Sequence, residues 1–140
     1  MKGLLAVDGS SHALRAAQLL VDLAKHCRQT TAHVLNVQPQ NPYVALLPEE
    51  RQAQIERLMQ ECGKEATESV CKLLAAAGVP FEVEVVSSDP ELAIVRIARQ
   101  KHCDFIMMGT RGMGAIAGMA LGSVATKVVH LADLPVTLVK

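Results

Sequence analysis

Along this chain, short runs of consecutive apolar residues alternate with longer stretches in which apolar residues return every third or fourth position. The first rhythm predicts buried strands and the second amphipathic helices. Gly3 to Val7 is the first run, stopped by Asp8, Gly9, Ser10 and Ser11. Ala13, Ala16, Ala17, Leu20, Ala24 and Cys27 then line one face of a helix, with Arg15, Gln18, Asp22 and Lys25 opposite and Ser10 or Ser11 as its N-cap. Thr31 to Val37 predicts a second strand, halted by Pro39 and Pro42. Pro48, Glu49 and Glu50 open a long helix carrying Ile55, Leu58, Met59, Cys62, Ala66, Val70, Leu73, Leu74 and Ala77, ended by Gly78 and Pro80. Gly63 in its middle marks a bend or a close packing contact.

Phe81 to Val86 alternates apolar with acidic residues, which places a third strand toward an edge of the sheet. Ser88, Asp89, Pro90 and Glu91 start a third helix, with Leu92, Val95, Ile97 and Ala98 inward and Arg96, Arg99, Gln100 and Lys101 outward. Phe105 to Met108 carries no charge, so this fourth strand is covered on both faces. Ser123 is expected to cap a fourth helix reaching about Leu131, with Val124, Val128 and Val129 inward. Pro135 to Val139 closes the chain as a fifth strand, since proline is tolerated at a strand start. The order βαβαβαβαβ predicts a single α/β domain with a largely parallel sheet and right-handed crossovers. In such sheets ligands bind outside the carboxyl ends of strands, where the strand order reverses. If the first and fourth strands are neighbours there, Asp8 and Gly109 face one crevice.

Composition narrows the classes. At 140 residues the chain can bury a core without disulfides or metal, and with aromatics at only Tyr43, Phe81 and Phe105 that core is aliphatic. Fourteen basic residues balance fourteen acidic ones, which removes the usual electrostatic argument for nucleic acid or an anionic membrane. The opening apolar run is broken at Asp8, too short for a signal peptide or a membrane span, and predicts a cytoplasmic protein. Cys27, Cys62, Cys71 and Cys103 show no metal-ligand spacing and read as reduced thiols. His12, His26, His33, His102 and His130 lack a cysteine or carboxylate at ligand spacing and read as structural or solvated.

The chemistry concentrates between Asp104 and Thr126, DFIMMGTRGMGAIAGMALGSVAT. Gly109, Gly112 and Gly122 followed by Ser123 give the pattern G-x2-G-x9-G-S, starting at the end of a strand and finishing at a helix entry. Glycines let bare main chain approach a ribose and phosphates, and the first turn of a helix offers unpaired amides to an anion. By composition alone such a pattern arises in roughly half a percent of chains this long. Ser123 and Val124 would add a hydroxyl and amides, and Arg111 a mobile cation. Asp8 reads equally as a second site residue or as an Asx turn into Ser10 and Ser11. Met107, Met108, Met113 and Met119 read as adaptable packing. No G-x4-G-K-[ST] motif occurs, and no nucleophile, base and orienting group can be assembled.

Across essentially all its length the chain resembles the universal stress protein family. AVDGS, the strand LNV, the run DFIMMGTRGMG, the GS helix entry and the closing LPVTLVK fall in that family's order. The glycine pattern is similar to the family's ATP-binding signature. The resemblance implies sheet order 3-2-1-4-5 with helices on both faces. It implies Asp8 beside the adenosine, Val37 meeting the adenine through its backbone, and Met108 with Gly109 lining that pocket. Gly112, Gly122, Ser123 and Val124 would hold the phosphates, with a Mg2+ ion the protein itself barely ligates. The family also commonly dimerises through its last strand, which implies a homodimer. Three departures stand out: the 113–121 segment MGAIAGMAL carries no charge, Asn36 stands where many members have histidine, and Ala6 where some have proline.

The expected function is therefore an ATP-binding regulatory or stress-response module, with AMP or ADP as related ligands and an unidentified protein partner. A slow ATPase or nucleotidyl-transferring enzyme using the same crevice is the second reading. A dimeric interaction protein that binds no nucleotide is the third.

Overall fold

Five strands form one parallel sheet: β1 (Lys2–Ala6), β2 (Thr31–Gln38), β3 (Phe81–Ser87), β4 (Phe105–Gly109) and β5 (Val136–Val139). The computed structural model describes residues 1–27, 29–113 and 121–140. The strand order is β3-β2-β1-β4-β5, as the resemblance implied. The chain moves outward from β1 through β2 to β3, then returns across the sheet to β4 and β5. The direction of winding thus reverses between β1 and β4, whose register pairs Leu5 with Met107 and Ala6 with Met108.

Four helices cover the two faces: α1 (Ser11–His26), α2 (Glu49–Ala76), α3 (Pro90–Gln100) and α4 (Ser123–Leu131). Strand side chains alternate between faces. Leu5, Val34 and Met107 join Ala16, Ala17 and Leu20 of α1 and Val70 and Leu74 of α2 in one apolar layer. Leu4, Leu35, Ile106 and Met108 join Ile94 and Ile97 of α3 and Ala125 and Val128 of α4 in the other. β3 is an edge strand, as its acidic alternation predicted. Its Glu84 bonds the imidazole Nε2 of buried His33 at 2.9 Å, which gives that histidine a structural partner.

Three features of helix burial correct the sequence reading. Leu92 is exposed and Ala93 and Ile94 are buried in its place, because Leu92 stands about 200° around the helix from Ile94 at 3.6 residues per turn. In α4, Ala125 and Val128 carry the contact and Val129 lies outside it. Of the apolar stripe expected on α2 only Val70 and Leu74 are buried, joined by Gly63 and Thr67, and Leu58 faces solvent. Geometry explains this: a helix of 28 residues is about 42 Å long at 1.5 Å per residue. A strand of 7 residues spans about 23 Å, so β3 and its neighbours cannot cover the whole of α2. Between β2 and α2, the proline-bearing connection forms a short 3-10 turn over Pro42–Leu46.

Candidate functional site

The site is assembled from the carboxyl ends of β1, β2 and β4 and the amino ends of α3 and α4. β1 is followed at Asp8 by a turn in which Gly9 takes φ +85, a conformation that disfavours side chains. The Ser10 amide donates to Asp8 Oδ1 at 3.0 Å, and the Ser10 hydroxyl accepts from the Ala13 amide at 3.2 Å. Asp8 is therefore an Asx-turn residue and Ser10 is the cap of α1. The second carboxylate oxygen reaches across to the glycine loop, where Oδ2 accepts from the Met113 amide at 3.0 Å. One side chain thus ties the end of β1 to the segment that follows β4. Of the two readings of Asp8 left open by the sequence, the Asx turn is present, and Asp8 also lines the crevice.

That crevice has a volume of about 500 Å³. Asp8, Val37, Met108, Gly109, Arg111, Gly112, Gly122, Ser123 and Val124 all line it. Its inner wall is apolar, made by Ala6, Leu35, Val37, Ile94, Met108 and Ala125. Its polar lining comes from Asp8, Thr110, Arg111 and Ser123, and the 110–112 limb is bonded to the start of α4. Among the described residues lining it, Arg111 is the one cation and Asp8 the one carboxylate. Pro90 and Ile94 of α3 were not foreseen as site residues: Pro90 read only as part of a helix start, and Ile94 was left off the inward face of the helix. The 114–120 part of the uncharged MGAIAGMAL segment, including Met119, lies outside the described residues.

The three motif glycines have different physical reasons to be glycine. A Cβ on Gly109 would lie 2.6 Å from His12 Cβ and 3.1 Å from the Ala13 amide nitrogen, so this glycine lets α1 pack onto the end of β4. A Cβ on Gly112 would overlap Asp8 Oδ2, so this glycine admits the carboxylate that clamps the loop. The expected phosphate role of Gly112 meets an obstacle here, since an anion at that amide would also meet the Asp8 charge. Gly122 is unlike either: an added Cβ would lie 3.4 Å from the Thr110 carbonyl oxygen and 3.6 Å from Arg111 Cα, ordinary contact distances, and its φ is −72.

Gly122, not Ser123, is the N-cap of α4. Its carbonyl accepts the Thr126 amide at 3.0 Å, which closes the first helical turn and makes Ser123 the first residue inside it. The Gly122 amide is held by the Thr110 carbonyl at 2.7 Å, which joins the two limbs of the loop. Among the described residues no side chain caps this helix; the first-turn amides of Ser123, Val124 and Ala125 have no intrahelical acceptor, and these residues line the crevice. Beside them, Lys127 of α4 pairs with Glu91 of α3 at 2.5 Å. The bonded ammonium holds the Glu91 carboxyl below its usual range, and the Glu91 carboxylate in turn raises Lys127 above its own. This pair braces the two helices whose amino ends frame the site.

This architecture can be set beside known proteins. The family model described as the universal stress protein family matches residues 1–140. The chain belongs to the universal stress protein family. Among relatives, it is 34% identical over 139 residues to universal stress protein MJ0531 of Methanocaldococcus jannaschii, covering 99% of this chain and 81% of that one. As a member of the family it superposes on the solved structure of MJ0577 of the same organism with a TM-score of 0.86 at 27% identity, covering 99% of this chain and 94% of that one. A universal stress family protein of Arabidopsis thaliana solved with AMP bound shares the fold at a TM-score of 0.72 and 20% identity, covering 100% of this chain and 91% of that one.

Among the described residues of this member, no helix is long and apolar enough to cross a membrane. Among the same residues, no three His, Cys, Asp or Glu side chains come together to hold a metal ion.

Proposed function

We propose that this chain is an adenine-nucleotide-binding regulatory module, with ATP as its ligand, the base against the apolar wall and the phosphates at the amino end of α4. The observation that carries the reading is Gly122. Packing within the protein accounts for Gly109 and Gly112, whereas nothing among the described residues requires position 122 to lack a side chain. A ligand seated against the Gly122 main chain, at the amino end of α4, does require it. The uncapped amides of Ser123 and Val124 supply donors there, the helix dipole favours negative charge, and Arg111 adds a cation. The AMP bound by the Arabidopsis relative is of the same chemical class.

A Mg2+ ion fits this site only as a passenger on the phosphates. The crevice offers it one carboxylate, Asp8, and both of that group's oxygens already accept main-chain amides. The nucleotide would join the ends of β1, β2 and β4 to α4, and a protein partner or a second copy would sense that closure. Pairing of two copies along β5, an edge strand of the sheet, is the homodimer this reading expects.

The test is thermal unfolding of the purified protein with ATP or AMP, with and without Mg2+. Ligand at a hundred times its Kd adds about 2.7 kcal/mol of stability, several degrees in Tm. Gly122→Val, whose side chain covers the entry to α4 beside Thr110 and Arg111, retains the ligand-free Tm and loses the shift. An equal shift in wild type and variant removes the glycine loop from the binding site. No shift in the wild type overturns the nucleotide reading.

A further inference from the structure

The hydrogen-bond ladder between β1 and β2 stops one rung early, at the place where the crevice begins. Its last rung runs from the Val7 amide to the Leu35 carbonyl at 2.8 Å. In a parallel ladder the next rung would run from the Val37 amide to the Val7 carbonyl, because alternate β2 residues face β1. Among the described residues that rung is not made, and the pairing of the two strands ends at Ala6 with Leu35. The Val7 carbonyl instead accepts from the Asn36 side-chain nitrogen, Nδ2, at 2.8 Å.

Asn36 is held firmly for this task. It is 2% exposed, and its Oδ1 accepts from Gln38 Nε2 at 2.8 Å. On the far side α2 comes so close that a Cβ on Gly63 would lie 3.0 Å from Asn36 Oδ1 and overlap Val85. Gly63 is thus the close contact its place in a helix suggested, and the contact locks the Asn36 carboxamide. A buried amide that displaces a main-chain rung replaces one hydrogen bond by another and gains nothing within the sheet. Its consequence lies outside the sheet. The Val37 N–H and C=O, which share one side of the strand, are left facing the crevice beside the apolar wall of Ala6, Leu35, Ile94 and Met108.

We propose that Asn36 is a positioning residue for base recognition: by taking the Val7 carbonyl it keeps the Val37 amide out of the ladder and available to a purine edge. A main-chain donor next to an acceptor matches a ring nitrogen that accepts beside an exocyclic amine that donates, the pattern of adenine. Guanine presents the reverse order on that edge. This inference rests on the nucleotide reading above and adds the residue that sets its base preference.

The test compares Asn36→Leu with wild type by NMR titration with AMP and with ribose 5-phosphate, which carries the phosphate without the base. Loss of one hydrogen bond to the base weakens AMP binding about tenfold, while ribose 5-phosphate affinity stays within about twofold. If the leucine variant does not fold, Asn36→Ser, whose hydroxyl is too short to reach the Val7 carbonyl, carries the same expectation. Unchanged AMP affinity, or an equal fall for both ligands, overturns the proposal. A second readout needs no ligand: in the variant the freed Val7 carbonyl takes the Val37 amide, whose hydrogen exchange slows relative to wild type. Exchange that does not slow overturns the proposal as well. A wild type that binds neither ligand refutes the nucleotide reading, and the exchange comparison still decides whether Asn36 diverts the rung.

Discussion

Two hollows of nearly equal size, about 500 and 510 Å³, open at the carboxyl ends of the strands. The first lies at the β1–β4 reversal. The second lies beyond the sheet edge, between the Pro42–Leu46 turn, the overhanging half of α2 and the end of β3. Their linings differ in what the main chain leaves over. In the second, Gln60 Nε2 bonds the Val85 carbonyl at 3.1 Å and Gln52 Nε2 bonds the Leu47 carbonyl at 2.7 Å, so two of the side chains that could receive a ligand already serve the backbone. In the first, a helix begins without a side-chain cap among the described residues, and a strand ladder is cut short so that Val37 faces the opening. Volume is common to both, and main-chain donors left over at a helix start and a strand end distinguish the first.

The largest expected effect separates the glycines within the first hollow. Gly109→Ala forces α1 away from β4 and lowers unfolding stability by about 2–3 kcal/mol in urea denaturation, the usual cost of overpacking a tight contact. Gly122→Ala changes it by less than about 0.5 kcal/mol. Equal losses at the two positions would abolish the distinction between a packing glycine and a ligand glycine. A smaller effect probes the second hollow. Gln60→Leu strips the Val85 carbonyl of its side-chain donor and costs about 1 kcal/mol. It leaves AMP affinity within about twofold, and a marked fall in affinity would mean that the second hollow takes part in binding. The smallest effect concerns the brace between α3 and α4. Because the Glu91 carboxyl is depressed in the folded state, its stabilising contribution is fully present above the ordinary glutamate value of about 4.3 and is lost as pH falls through the lowered folded value. The stability difference between wild type and Glu91→Gln therefore shrinks on acidification, and a difference that grows would show that the pair does not brace the helices.

Much of this arrangement was legible in the sequence because it follows from local chemistry. Continuous apolar runs marked the strands, and the acidic alternation of Phe81 to Val86 marked an edge. The reading went astray where burial depends on what lies across the gap. Leu92 and Val129 satisfied helical spacing and face solvent, and half the stripe on α2 finds no sheet beneath it. Ser123 had the chemistry of a cap, yet the chain enters α4 with Gly122 extended and its carbonyl closing the first turn.

The sequence by itself determined the order of elements, the strand that empties into the glycine loop and the family the chain resembles, since each is written in residue types a few positions apart. Only the tertiary structure decided which glycine serves packing and which is left open. It alone revealed that Asp8 clamps the loop and that Asn36 shortens a ladder. Those facts join residues 29 positions apart in one case and 105 in the other. A spacing pattern cannot express them, because which backbone groups are left without partners is known only after every other group has found one.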